Sequence, residues 1–479
     1  MRTFDNLELG ISHIGKAPIF GSGPLETMRR WLGIIGGKAA ITAALAVGDL
    51  GAMVLQPRLQ ANPYPFYAYL RRHGGLVRSK LGFYLTAGHE TAEEVLRHPG
   101  IGIRPPGRGH RASQSEIVAS ESAAEHPALI ATTAAPAAAG TFGPTSPGSG
   151  ERAGPLPLPR HGPVDPLVES FGALDGPRHA RLRRLAAAGF RPAEIEARQP
   201  RIEALAHDLL DQAPSGRFDV VRDYAAILPL LVTAELLGIP NPDIPTFLRW
   251  SRAATAMVAG PNSVRDLRRW RQVLPEVQAM LTQLIERRRT DPQDDLISKL
   301  AADGTTSDRD LVATLEMVLF AGYDTTPWLI SNTVLALLDD PRRRAALDDP
   351  RSAANLVEES LRFDSPVQFT GRVTLEEVTI DGQTLPRGTA ILVVIGGANR
   401  DPAVFADPNT FDLQRDNARS HLSFAPGSHH CLGAALARLE TRIAVHTLFQ
   451  RHPDLRPSGL PTRIHTTGGR VLTSLPVLT

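Results

Sequence analysis

The stretch FAPGSHHCLG, residues 424–433, carries the only cysteine among 479 residues. It stands where a helix is about to begin. A thiol there faces unpaired backbone N–H groups and the positive end of the helix dipole, and both favour thiolate over thiol. A thiolate is a nucleophile or a metal ligand. Gly427 and Gly433 have no side chains, so the chain could turn sharply and a flat cofactor could lie against it, with Phe424 packed beneath. A lone cysteine is ordinarily a small buried apolar residue. The spacing F-x-x-G-x-H-x-C-x-G argues for a role instead.

Chemistry is also concentrated in FAGYDTTPW, residues 320–328, where a carboxylate and two hydroxyls interrupt a long apolar helical pattern. Such groups are costly in an apolar helix unless employed; the plainer reading is a kink with Ser/Thr bonding back to the helix. Pro327 would leave the Tyr323 carbonyl without its helical partner and crowd it, so the helix is expected to open here. EESLR places Glu359 and Arg362 at i and i+3, where they can pair. HARLR puts His179 and Arg183 one helical turn apart. Taken singly, each pair reads as a solvated helix face.

Together these motifs resemble the cytochrome P450 family, over about residues 62–475. The resemblance implies a mainly α (α+β) cytochrome P450 fold, a large helical region with a smaller β-rich one and haem b between the central and C-terminal helices. It implies that Cys431 is the iron ligand, in a loop shaped by Phe424, Gly427 and Gly433. Thiolate ligation favours O–O cleavage. Glu359, Arg362 and Arg415, the last from FDLQR, would form a network locking that loop to the core. Asp324 and Thr325 would be the acid–alcohol pair that delivers protons during dioxygen activation. His179, Arg183, Arg372 and His429 match the family's ligands for the haem propionates, which need cations when buried. Ala425, where the family usually has glycine, is a small departure, and His421 and His430 read as bystanders.

The implied enzyme is a monooxygenase that inserts one oxygen atom of dioxygen into a C–H or C=C bond of an apolar small molecule. Substrate contacts would come from about residues 100–177, 240–270 and 316–328, with Tyr323 among them. No flavin or nicotinamide domain follows the haem region, so a ferredoxin-type donor with its reductase is expected. Arg181, Arg183, Arg184, Arg438 and Arg442 would form its docking face. Two rivals stand beside this reading: a peroxide-driven haem–thiolate enzyme, which would tend to lack the acid–alcohol pair, and a haem-binding sensor or ligand carrier without turnover.

The elements that must position these groups follow from periodicity. Residues 63–74 read as a short helix ended by glycine, 76–88 as two short strands, and HETAEEVLRHP as another helix. From about 178 to 363 the apolar spacing is helical, in IEALAHDLLDQA, VLPEVQAMLTQLIERRR and DLVATLEMVLFAGYDTTPWLISNTVLALLDD. Residues 371–402 alternate around DG and PRG turns and read as a small antiparallel sheet. A last helix follows the cysteine over 432–452, and the tail returns to short strands.

A chain of this length forms either two domains or one large core. The reading here is an N-terminal helical extension over 1–61 and a single domain over 62–479. Residues 104–166, dense in Ala, Pro, Gly and Ser towards their end, read as a mobile insertion. The formal charge of +2 gives no argument for nucleic acid as partner. One cysteine cannot form an intramolecular disulfide, which fits a cytoplasmic protein. In the apolar stretch 31–55, Lys38 and Asp49 leave a ten-residue uncharged run, short of the roughly 20 residues a spanning helix needs. A packed helix is expected there, with contact to a membrane surface left open.

Overall fold

The computed structural model describes residues 41–56, 59, 61–103, 164–258, 264–464 and 468–479. The N-terminal part contributes α1 (Leu50–Val54), α2 (Tyr64–Arg71), β1 (Val77–Arg78), β2 (Tyr84–Thr86), α3 (His89–Arg97) and β3 (Ile101–Gly102). The helical part follows with α4 (Gly176–Ala186), α5 (Gln199–Gln212), α6 (Leu228–Leu237), α7 (Ile244–Val258), α8 (Val264–Thr290), α9 (Asp308–Leu338) and α10 (Pro350–Phe363). Then come β4 (Thr370–Thr374), β5 (Val378–Ile380), β6 (Gln383–Leu385), β7 (Ala390–Val393) and α11 (Ala434–Arg451).

α9 is the axis of the molecule. Ser307 caps it by accepting from the Asp310 amide, and Asp308 and Asp310 in its first turn complement the dipole. Its 31 residues span about 46 Å at 1.5 Å per residue. It is buried on most sides because α6, α7, α8, α10 and α11 all pack on it. Asp349 caps α10 by accepting from the Ser352 amide, with Pro350 in the first turn. The main core gathers Leu315, Leu319 and Ile330 of α9 with Leu236 of α6, Leu281 of α8 and Leu448 of α11, each at most 2% exposed.

Four expectations change here. The helix does not open at Pro327: α9 runs through it, and the Pro327 carbonyl accepts the Ser331 hydroxyl at 2.6 Å. Packing on most sides outweighs the missing N–H. The stretch 31–55 is not one helix. Its described part turns at Gly48, where φ is +71°, and Asp49 starts α1 by accepting from the Ala52 amide; residues 31–40 lie outside the described residues. The sheet over 371–402 is not self-contained. β4 and β7 join a five-stranded sheet in the order β1-β2-β7-β4-β3, in which β2 and β7 run parallel, while β5 and β6 form a separate hairpin. Of the insertion, 104–163 lie outside the described residues, but Val164 and Asp165 are buried, and Val164 bonds through both its N–H and C=O to the Gln278 side chain. Among the described residues, no helix is long and apolar enough to cross a membrane.

Candidate functional site

The cysteine loop leads directly into α11. The Cys431 amide donates to the Phe424 carbonyl at 2.9 Å, closing the loop on itself. Gly427 has φ +101°, and a Cβ there would stand 2.2 Å from the Leu96 carbonyl of α3. That position needs glycine for the sharp turn and because another backbone crosses it. Gly433 has an ordinary φ of −85°, and a Cβ would meet only Phe190, at 3.8 Å, so no protein neighbour demands glycine there. Ala425 sits at φ +50°, in the left-handed region that disfavours a side chain. Replacing the family's glycine is therefore a strained change rather than a neutral one.

Cys431 is exposed, yet protein atoms crowd its sulfur. Loss of hydration pushes its thiol up, more than the Gly433 N–H, Arg183 and Arg438 pull it down. The helix-start argument for a ready thiolate is thus outweighed by burial in the protein alone. A metal would reverse the balance, since a coordinating thiol is deprotonated outright.

Four basic groups converge near the loop. The His179 and His429 rings stack with centroids 4.3 Å apart, and His429 Nε2 lies 2.9 Å from Asp175 Oδ1. Arg183 donates to the His430 carbonyl at 2.5 Å and is close enough to Cys431 to feel its charge. Arg372 on β4 is 4% exposed and bonds only uncharged oxygens, Thr370 Oγ1 and the Gly371 carbonyl. Burial holds its guanidinium down at about 10 despite Asp175. Burial, with His429 and Arg183 alongside, likewise pushes His179 down to about 4. Its Nε2 is buried with no hydrogen-bond partner among the described residues. An exposed thiol, an imidazole nitrogen buried without a hydrogen-bond partner among the described residues, and a buried guanidinium that hydrogen-bonds no carboxylate together suit a flat, anionic, thiolate-bound group such as haem.

The loop is anchored from α10. Arg362, with no exposed side-chain surface, forms a two-pronged pair with Glu359 at 2.7 and 2.8 Å. It also donates to the carbonyls of Asn399, Pro408 and Thr410. Arg415 reaches the same carboxylate at 3.2 Å, and the Asp412 amide adds a bond at 2.7 Å. Every oxygen of the buried Glu359 is thereby matched, which is the condition for burying a charge without large cost.

On α9, Asp324 is 2% exposed. Its Oδ1 accepts from Ser251 Oγ at 2.9 Å and Thr255 Oγ1 at 3.0 Å, both on α7, while Oδ2 is buried without a partner. Burial raises its carboxyl to about 7, and the two hydroxyls offset part of that rise. Thr325, the next residue, is half-buried. Gly322, one turn earlier, allows α6 to approach, since a Cβ would stand 2.4 Å from Thr233 Oγ1. The Tyr323 side chain lies outside the described residues. Leu329, further along the same helix, clusters with Val357, Leu361 and Phe424, tying the acid-bearing helix to the cysteine loop.

Sequence reasoning missed Asp175, Ser251 and Thr255, whose partners are 69 to 254 residues distant. His421, read as a bystander, is 8% exposed and bonds Glu358 at 3.1 Å. His430 is exposed; its carbonyl accepts from Arg183 and its ring lies 6.3 Å from the Phe424 ring.

A family model described as Cytochrome P450 matches residues 353–472. Putative cytochrome P450 140 of Mycobacterium tuberculosis is 34% identical over 468 residues, covering 93% of this chain and 96% of that one. Cytochrome P450 monooxygenase PikC of Streptomyces venezuelae is 35% identical over 431 residues, covering 86% and 89%. Among solved structures, P450BioI in complex with hexadec-9Z-enoic acid ligated acyl carrier protein superposes with a TM-score of 0.73 at 29% identity, covering 88% of this chain and 99% of that one.

Proposed function

The chain belongs to the cytochrome P450 family and is a P450 monooxygenase, and on that footing we propose that Cys431 holds haem b and that the pocket above it hydroxylates or epoxidises an apolar small molecule. The observation that carries this is the gathering of His179, Arg183 and His429 at the Cys431 loop, with the buried Arg372 near Asp175, the partner of His429. When bound, thiolate-ligated haem supplies dioxygen activation with a bias towards O–O cleavage.

The chain's own residues divide the remaining work. Arg372, Arg183, His179 and His429 take the two propionates; the orphaned His179 Nε2 gains a partner and the buried Arg372 a counter-charge. Glu359, Arg362 and Arg415 hold the loop so that the sulfur stays in place. Asp324, poised near neutrality, gives and takes protons at Oδ2, with Thr325 beside it on α9. For substrate, a long acyl chain is favoured, free or carried on a protein, in keeping with the acyl carrier complex of P450BioI. Electrons come from a ferredoxin-type protein in the cytoplasm. Of the basic residues on the thiolate side, Arg181 is engaged by Asp310 and Arg438 by Glu358, so the exposed Arg184 and Arg442 are the docking charges.

The test is the absorption spectrum of dithionite-reduced protein under carbon monoxide. Wild type is expected to show a thiolate-type Soret band, and Cys431→Ala to lose it. An imidazole-type band in wild type, or no bound haem, would overturn the reading.

A further inference from the structure

Beside the Glu359 network lies a second buried charge system that the activity has not absorbed. Glu358 precedes Glu359 on α10, and a helix turns about 100° per residue, so the two carboxylates leave the helix in different directions. Glu358 is 3% exposed and meets Arg438 of α11 through both oxygens, at 2.7 and 3.0 Å. Its Oε2 also lies 3.1 Å from His421 Nε2. The imidazole's other nitrogen, Nδ1, accepts the Ser423 amide at 3.1 Å, so Nε2 must carry the hydrogen and donate it. His421 is therefore neutral, as its burial also favours. Burial alone would raise the Glu358 carboxyl, but the bonds from His421 and Arg438 prevail and hold it at about 2. The set carries one positive and one negative charge.

Its position gives it a task. The Arg438 guanidinium lies over the Phe424 ring, 4.5 Å from the centroid, and the His421 ring is 5.8 Å from the same ring. Phe424 in turn accepts the Cys431 amide through its carbonyl. Arg438 is also one of the two cations whose field reaches the Cys431 sulfur. Whatever fixes Arg438 thus fixes both the floor of the cysteine loop and the charge felt at the sulfur.

We propose that Glu358, His421 and Arg438 form a charge-balanced set beneath Phe424 that seats the cysteine loop and sets the reduction potential of iron held at Cys431. Glu358 and His421 are positioning residues acting through Arg438. Glu358 cancels most of the guanidinium's charge, so the site is not driven towards the reduced state, where the extra electron would be stabilised by an uncompensated cation.

The inference rests on Cys431 holding haem, and the experiment separates the two. Ferric–ferrous reduction potentials are measured on holoenzyme for wild type, Glu358→Gln, Arg438→Gln and the double variant, alongside each ferrous–carbon monoxide spectrum and Tm. Glu358→Gln is expected to shift the potential upward, Arg438→Gln downward, and the double variant to return towards wild type, all with a thiolate-type band. His421→Asn, neutral for neutral, is expected to lower Tm with little change in potential. Single charge variants that leave the potential unmoved, or move it in the same direction, would show the set to be only glue between α10 and α11 and overturn the inference. Arg438 is half-buried, so its variant keeps the test decisive if the Glu358 variant does not fold. A wild type without a thiolate-type band would instead remove the haem reading on which the inference stands.

Discussion

Replacing Asp324 with asparagine should shift stability relative to wild type increasingly in the variant's favour as pH rises. The carboxyl's ordinary value is 3.8 and burial raises it to about 7 in the folded chain. A carboxyl raised on folding binds more protons folded than unfolded in the interval between those values, so stability falls as pH climbs through it. The contribution is fully retained below about 4 and fully lost above about 8. Integrating the linkage relation between pH 5 and pH 8 with those two values gives a loss of about 2–3 kcal/mol attributable to this one side chain. Asparagine has no charge to lose. Its Oδ1 can still accept from Ser251 and Thr255, but its Nδ2 would occupy the position of the partnerless Oδ2 and cost about 1–3 kcal/mol at every pH. That constant cancels when the stability difference between variant and wild type at pH 5 is subtracted from that at pH 8. The assay is urea unfolding of both proteins at matched pH values, followed by tryptophan fluorescence. A difference that stays flat from pH 5 to pH 8 would refute the reasoning, because it would mean that Asp324 is hydrated or paired in a way the geometry excludes.

Other perturbations test the site's remaining parts. Ser251→Ala with Thr255→Val removes both donors to Asp324 and should move the pH dependence of turnover upward by about 1.5 units or more, since each of the two charge-assisted bonds favours the ionised form by roughly 1 kcal/mol or more; an unmoved profile would detach Asp324 from the rate. Gly427→Ala forces a Cβ to 2.2 Å from the Leu96 carbonyl at a φ of +101° and should cost about 2–5 kcal/mol, read as a fall in Tm. Ala425→Gly relieves φ +50° and should leave stability unchanged or raise it by up to about 1 kcal/mol, whereas the same exchange inside a helix would lower it. Arg362→Lys keeps the charge but deserts the carbonyls of Asn399, Pro408 and Thr410, and should cost about 3–5 kcal/mol with loss of haem retention, followed by Soret absorbance after gel filtration.

What could be read along the chain was what neighbours in sequence decide. Helices α5, α8, α9 and α11 follow from apolar spacing, and the cysteine loop from its own ten residues. Glu359 and Arg362 pair because three residues on a helix share a face. What the chain could not disclose rests on distant partners. Asp175 meets His429 across 254 residues, and Ser251 and Thr255 meet Asp324 across 73 and 69. Glu358 meets Arg438 across 80, which turned His421 from a bystander into a buried donor. Even Gly427, visible in the motif, owes its necessity to the Leu96 carbonyl crossing from α3. The continuity of α9 through Pro327 has the same origin. Local pattern counts the missing N–H of proline, but only the folded core supplies the surrounding helices that keep the segment helical.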